Sequence, residues 1–181
     1  MTKGSADMKT IRRILAFTLV LMLTMSLGVN AVAADAKYQL TRDFVGQVSG
    51  VEGLNCTIGD VVSDSTGNYE LVKVDYQGDL SAYTSHITML FAEDGSEVQL
   101  YMYNLINFSE DKLNEMMTVV NNLNHRATGI KLFVDTSDNS VTAEMYQLLP
   151  EENGADLAVV AFGFMIGITD SIFEELQSYA I

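Results

Sequence analysis

The residues able to do chemistry are few, and their spacing binds them to no reaction. The single cysteine lies in Leu54-Asn55-Cys56-Thr57-Ile58, and the two histidines are His86 and His125. A thiolate nucleophile needs a base and an orienting group beside it in space, and no local motif ties either histidine to Cys56. His125 follows Asn124 at a predicted helix end, where a protonated imidazole suits the dipole. A buried or incidental Cys56 and a capping His125 are the expectation. Asp60 to Glu70 and Asp135 to Asn139 are rich in oxygen ligands, but neither has the glycine and closing glutamate of an EF-hand loop. Plain turns are expected there, with calcium binding as the alternative. Glu151-Glu152 and Glu174-Glu175 are adjacent in sequence, which is not the opposed geometry that glycosidases use. No catalytic residue, metal ligand or cofactor is assigned.

Two patterns point instead to contacts with other proteins. Gly163-Phe164-Met165-Ile166-Gly167 has GxxxG spacing inside an apolar helix. Each glycine costs roughly 1 kcal/mol against alanine there, which is tolerable where another backbone approaches closely, either within the protomer or across a dimer. The second pattern is aromatic. Alternation places Tyr101 and Tyr103 opposite Val98, Leu100 and Met102, Phe133 opposite Leu132, and Tyr146 opposite Met145. If these strands register, four aromatics share one sheet face with Gln99, Lys131 and Glu144. Aromatics with a polar handle are common in interfaces, and tyrosine also suits a half-exposed strand.

The elements that must carry these residues follow from the whole chain. Its 181 residues are 48% hydrophobic, enough for one globular domain, and its formal charge of −14 argues against a nucleic-acid binder. One cysteine excludes an intrachain disulfide and a cysteine-based metal cluster. Lys9, Arg12 and Arg13 precede the apolar stretch Ile14 to Val29 and the small-x-small motif Ala31-Val32-Ala33. That is the pattern of a secretory signal peptide, so residues 1–33 are expected to be a cleavable leader and residues 34–181 a single α+β domain. Cleavage removes four of the ten basic residues and one of the 24 acidic ones, leaving a net charge of −17. Anionic lipid headgroups and nucleic acid should repel such a chain.

Leu40, Phe44, Val48 and Val51 recur at helical spacing after Thr41, a candidate N-cap. Asp60 to Asn68 reads as a loop. Strands are predicted over Glu70 to Gln77, Tyr83 to Ala92 and Glu97 to Leu105, with Asp94-Gly95 as a hairpin turn. Ser109 is predicted to cap a helix with the stripe Leu113, Met116, Met117, Val120 and Leu123. Strands follow over Ile130 to Thr136 and Ser140 to Leu148. A last helix, about Gly154 to Ala180, has an all-apolar segment, Leu157 to Ile168, that is too short to span a bilayer. The expected order is α-βββ-α-ββ-α, with an antiparallel sheet of about five strands.

That order, together with Val120-Asn121-Asn122-Leu123-Asn124 ending a helix before Gly129-Ile130-Lys131-Leu132-Phe133-Val134-Asp135, resembles the YbjN-like family over about Asp43 to Tyr179. The resemblance implies the fold of type III secretion chaperones: a curved antiparallel sheet with packed helices, often paired as a homodimer. It also implies a regulatory or chaperone-like role without enzymatic chemistry. The export signal is a departure from the usual cytoplasmic members. The resulting expectation is an exported, non-enzymatic protein-interaction module in the periplasm, cell envelope or extracellular space. Its partners would be another protein and a second copy, not nucleic acid or membrane. A small-molecule- or cation-binding envelope protein is the alternative.

Overall fold

A computed structural model describes residues 31–77 and 83–180. The basic cluster and apolar stretch of the expected leader lie outside the described residues. The small-residue motif falls on a single helical turn, α1 (Ala31–Ala34), in which Ala33 is buried. The remaining elements are α2 (Gln39–Val48), β1 (Leu54–Ser63), β2 (Asn68–Tyr76), β3 (Ser85–Ala92), β4 (Glu97–Asn107), α3 (Leu113–Arg126), β5 (Lys131–Asp135), β6 (Ser140–Leu148) and α4 (Gly154–Gln177). A one-turn 3-10 helix, Glu110–Lys112, leads into α3.

The strands form one antiparallel sheet in the order β1-β2-β3-β4-β6-β5. The α+β class and the antiparallel sheet match expectation, but the sheet has six strands rather than about five. The addition is β1, which takes in part of the segment expected to be a loop. Its alternation is broken by a bulge: Ile58 pairs with Val72 and Val61 with Glu70, so Gly59 and Asp60 together face Leu71. A bulge shifts every later side chain to the opposite face, which hides the strand from a period-2 reading. Glycine suits that place, because a Cβ on Gly59 would lie 2.8 Å from Leu71 Cδ2.

One face of the sheet builds the core. Val72, Val74, Ile87, Met89, Phe91, Val98, Leu100, Met102, Leu132, Val141, Ala143 and Met145 are buried beneath α2, α3 and α4. Phe44 of α2 packs on Phe91 of β3 and Phe162 of α4, with ring centroids 5.1 and 6.3 Å apart. In α3 the buried stripe is Met116, Val119, Val120 and Leu123, while Met117 is exposed. Of the expected stripe, Met116, Val120 and Leu123 are buried and Leu113 packs against the core, while Val119 takes the place given to Met117. Ser109 precedes the 3-10 turn rather than α3 and makes no side-chain cap bond; its Oγ donates to Asp111 instead.

Thr41 lies buried inside α2 and is not its N-cap. Glu70, fully buried on β2, provides the acceptors instead: its Oε1 takes the Lys37 N–H at 2.7 Å and its Oε2 the Tyr38 N–H at 2.9 Å. These donors lie just ahead of the helix, where a carboxylate both satisfies free amides and complements the dipole. At the far end of the chain, α4 is a 24-residue helix. By length and composition alone it could cross a membrane, so the expectation that this segment is too short does not hold for the helix as a whole. Here it lies across the sheet, with Phe162, Met165 and Ile166 fully buried in the core.

Candidate functional site

The helices cover one face of the sheet, and the other face carries the four aromatics singled out by alternation. The register Thr57–Lys73–Thr88–Tyr101–Glu144–Lys131 runs in one row across all six strands. Tyr146 lies opposite Gln99, one step along, and Phe133 lies opposite Thr142 on the other side. Tyr101, Tyr103, Phe133 and Tyr146 therefore share a face. Tyr103 and Tyr146 are about half exposed, at 53% and 52%, and Leu148, two residues beyond Tyr146, is 64% exposed. The Tyr101 and Tyr103 rings stack with centroids 5.4 Å apart and planes 8° from parallel.

A second bulge shapes this edge of the cluster. Met102 pairs with Ala143 and Ile106 with Val141, so Tyr103, Asn104 and Leu105 face Thr142 alone. Asn104 takes a φ of +50°, a conformation asparagine tolerates better than most residues.

Glu97 organises the tyrosines. Tyr69 and Gln99 donate to its Oε1 at 2.9 and 3.1 Å, and the Tyr146 hydroxyl donates to its Oε2. Tyr101 in turn donates to Gln99 Oε1 at 2.9 Å. Burial pushes the Glu97 carboxyl up, but the hydrogen bonds from Tyr146, Gln99 and Tyr69 outweigh it and hold the group below its ordinary value. Tyr146 is shifted up chiefly by its bond to Glu97, and Tyr101 by burial and then by the Glu144 charge. The carboxylate stays charged and the phenols stay protonated. A groove of about 500 Å³ opens beside this network, lined by Glu93, Asp94, Glu97, Tyr69 and Tyr146 among others, with no Lys, Arg or His.

The other candidate residues are not brought together. Cys56 pairs with Val74 and hence lies on the core side, whereas His86 sits with Asp75 and Asn55 on the open side. His86 Nδ1 lies 2.6 Å from Asp75 Oδ1, an exposed pair. Burial, helped by the Asp75 charge, pushes the Cys56 thiol up to about 12. His125 is exposed in the last turn of α3. Gly163 and Gly167 are both buried within the chain.

The turn aspartates are engaged by their own loops. Asp64 Oδ1 accepts from Thr66 N, Thr66 Oγ1 and Gly67 N, Asp94 from Ser96 N, and Asp135 from Ser137 N and Oγ. These bonds, led by those from Thr66, Ser96 and Ser137, hold all three carboxyls below their ordinary value. Among the described residues no three His, Cys, Asp or Glu side chains gather to hold a metal.

Sequence reasoning missed the Glu97 hub, the Glu70 cap and a third polar contact. Asn124 of α3 donates from Nδ2 to Leu132 O and accepts from Leu132 N at Oδ1, both at 2.7 Å. The Asn-rich helix end before a strand was visible, but its role was not, because the strand edge it meets exists only once α3 packs on β5. No family model, curated protein or solved structure matches the chain.

Proposed function

We propose that this is an exported, non-enzymatic protein-interaction module with a chaperone-like or regulatory role. It resembles the YbjN-like family and its type III secretion chaperone fold, and it acts as a homodimer in the periplasm, envelope or extracellular space. The observation that carries the reading is the one-sided covering of the sheet. Tyr101, Tyr103, Phe133 and Tyr146 lie together on the face the helices leave open, the first two with their rings stacked. Large side chains with few rotatable bonds lose little entropy on contact, which is why such residues anchor interfaces. A cation-binding role finds less support, since Asp64, Asp94 and Asp135 are already bonded within their turns.

The test compares two full-length, carboxyl-terminally tagged chains, the parent and a Tyr101→Ala, Tyr103→Ala, Tyr146→Ala variant. Each is recovered from envelope and culture fluid. A stoichiometric protein held by the parent and lost from a folded variant supports the reading. Equal recovery of every companion by both chains overturns the assignment of this face.

A further inference from the structure

Resting on that reading of the open face as a docking surface, we propose that its occupant is an extended segment of another protein bearing two arginines four residues apart. The hydroxyls of Tyr69, Tyr101 and Tyr146 and the side-chain amide of Gln99 are all committed within the chain. Around Glu97 what remains for a partner are ring faces and carboxylates, while Lys73, Thr88 and Lys131 lie in the neighbouring row of the same face. A glycan would need free donors and acceptors, so it fits poorly beside Glu97. A guanidinium fits well, because it stacks on an aromatic face and pairs with a carboxylate at once.

Charge selects the same partner. The groove at Glu97 holds Glu93 and Asp94 as well and has no cationic lining residue. A second carboxylate lies along the sheet, where Glu144 stands between Tyr101 and Lys131. A second copy of the chain carries the same −14 charge and would bring repulsion to this face. Glu97 and Tyr101 are four residues apart on β4, about 13 Å at the rise of a strand. An extended segment presents residues i and i+4 on one side at that same spacing.

The experiment is an NMR titration of the 15N-labelled full-length chain with three ten-residue threonine peptides. They carry arginine, glutamine or glutamate at positions 3 and 7, and a neutral glucose hexasaccharide is titrated in parallel. The expected result is that the arginine peptide alone shifts amides of β4 and β6. Its affinity should fall at least five-fold in a Glu97→Gln, Glu144→Gln variant and in Tyr146→Leu, and should weaken with salt. Equal shifts from the glutamine peptide on these strands would overturn the arginine occupant while leaving the docking face standing. Shifts from the hexasaccharide alone would replace it with a glycan. Arginine-peptide shifts spread over the helices, or unchanged in both variants, would show undirected attraction to an acidic chain and overturn it. Silence from every probe overturns it too, and the docking face is then judged by the tyrosine-variant comparison alone.

Discussion

The side chain of Asn124 occupies the hydrogen-bonding place of a seventh strand beside Leu132. Its amide gives one bond to the Leu132 carbonyl and takes one from the Leu132 N–H, each 2.7 Å long. β5 is an edge strand, and free edges invite pairing with other chains. Helix α3 thus closes this edge with one residue.

Replacing Asn124 with alanine removes both bonds at once. Each partly buried group left unpaired costs about 1–3 kcal/mol, so Asn124→Ala should lower unfolding free energy by roughly 2–3 kcal/mol in urea titration. Asn124→Asp keeps the acceptor but loses the donor, and should fall between alanine and the parent. A cost under about 0.5 kcal/mol for alanine would mean water replaces the clasp.

Glu70 is the buried counterpart. It ties β2 to the start of α2 through the amides of Lys37 and Tyr38. Glu70→Ala orphans two donors and should cost roughly 2–4 kcal/mol. Glu70→Gln turns an NH2 group toward one of those N–H donors and should cost more than half as much. Parallel denaturant melts of both variants, with equal slopes, check the order.

The pH dependence of Glu97 has a definite sign. Its folded pKa is lowered, so its contribution is present above the unfolded value, about 4.3, and is lost as pH falls through the folded one. The melting temperature of Glu97→Gln should lie below that of the parent at pH 7, and the gap should close below about pH 4. The partial exposure of the site keeps the neutral-pH gap small, roughly 2–4 °C. Tyr146 is shifted the other way, so its contribution holds below about pH 10 and fades as pH rises beyond it. A gap that widens with acid would remove Glu97 from the centre of the network.

Cys56 should be inert. With its thiol pushed up to about 12, only about one molecule in ten thousand carries a thiolate at pH 8. Iodoacetamide should label the folded protein at least a hundred-fold more slowly than the urea-unfolded one. Rapid labelling of the folded chain would reopen the nucleophile question, because His86 lies on the opposite face of the sheet from Cys56.

What could be read in advance were features with local causes. The strand β4 ahead of its bulge, β5 and β6 alternate from face to face, so the aromatic face could be drawn from Tyr101, Tyr103, Phe133 and Tyr146 before any fold was known. The turns at Asp94-Gly95 and over Asp135 to Asn139 were legible for the same reason, since their residue types are those of turns. β1 was not legible, because the bulge at Gly59 and Asp60 inverts its alternation midway. The stripe of α3 was drawn through Met117, whereas packing on the sheet turns Val119 inward and leaves Met117 exposed.

The sequence by itself determined the composition of each face: which side chains are apolar, at what period, and with how much negative charge between them. Only the tertiary structure decided which polar groups meet. Glu97 collects Tyr69, Gln99 and Tyr146 from three strands, Glu70 reaches back 33 residues to Lys37, and Asn124 finds an edge that forms only after α3 docks. Burial is a property of one residue and its period. A hydrogen bond needs two groups within about 3 Å, and strand order and register, which no single segment encodes, set that distance.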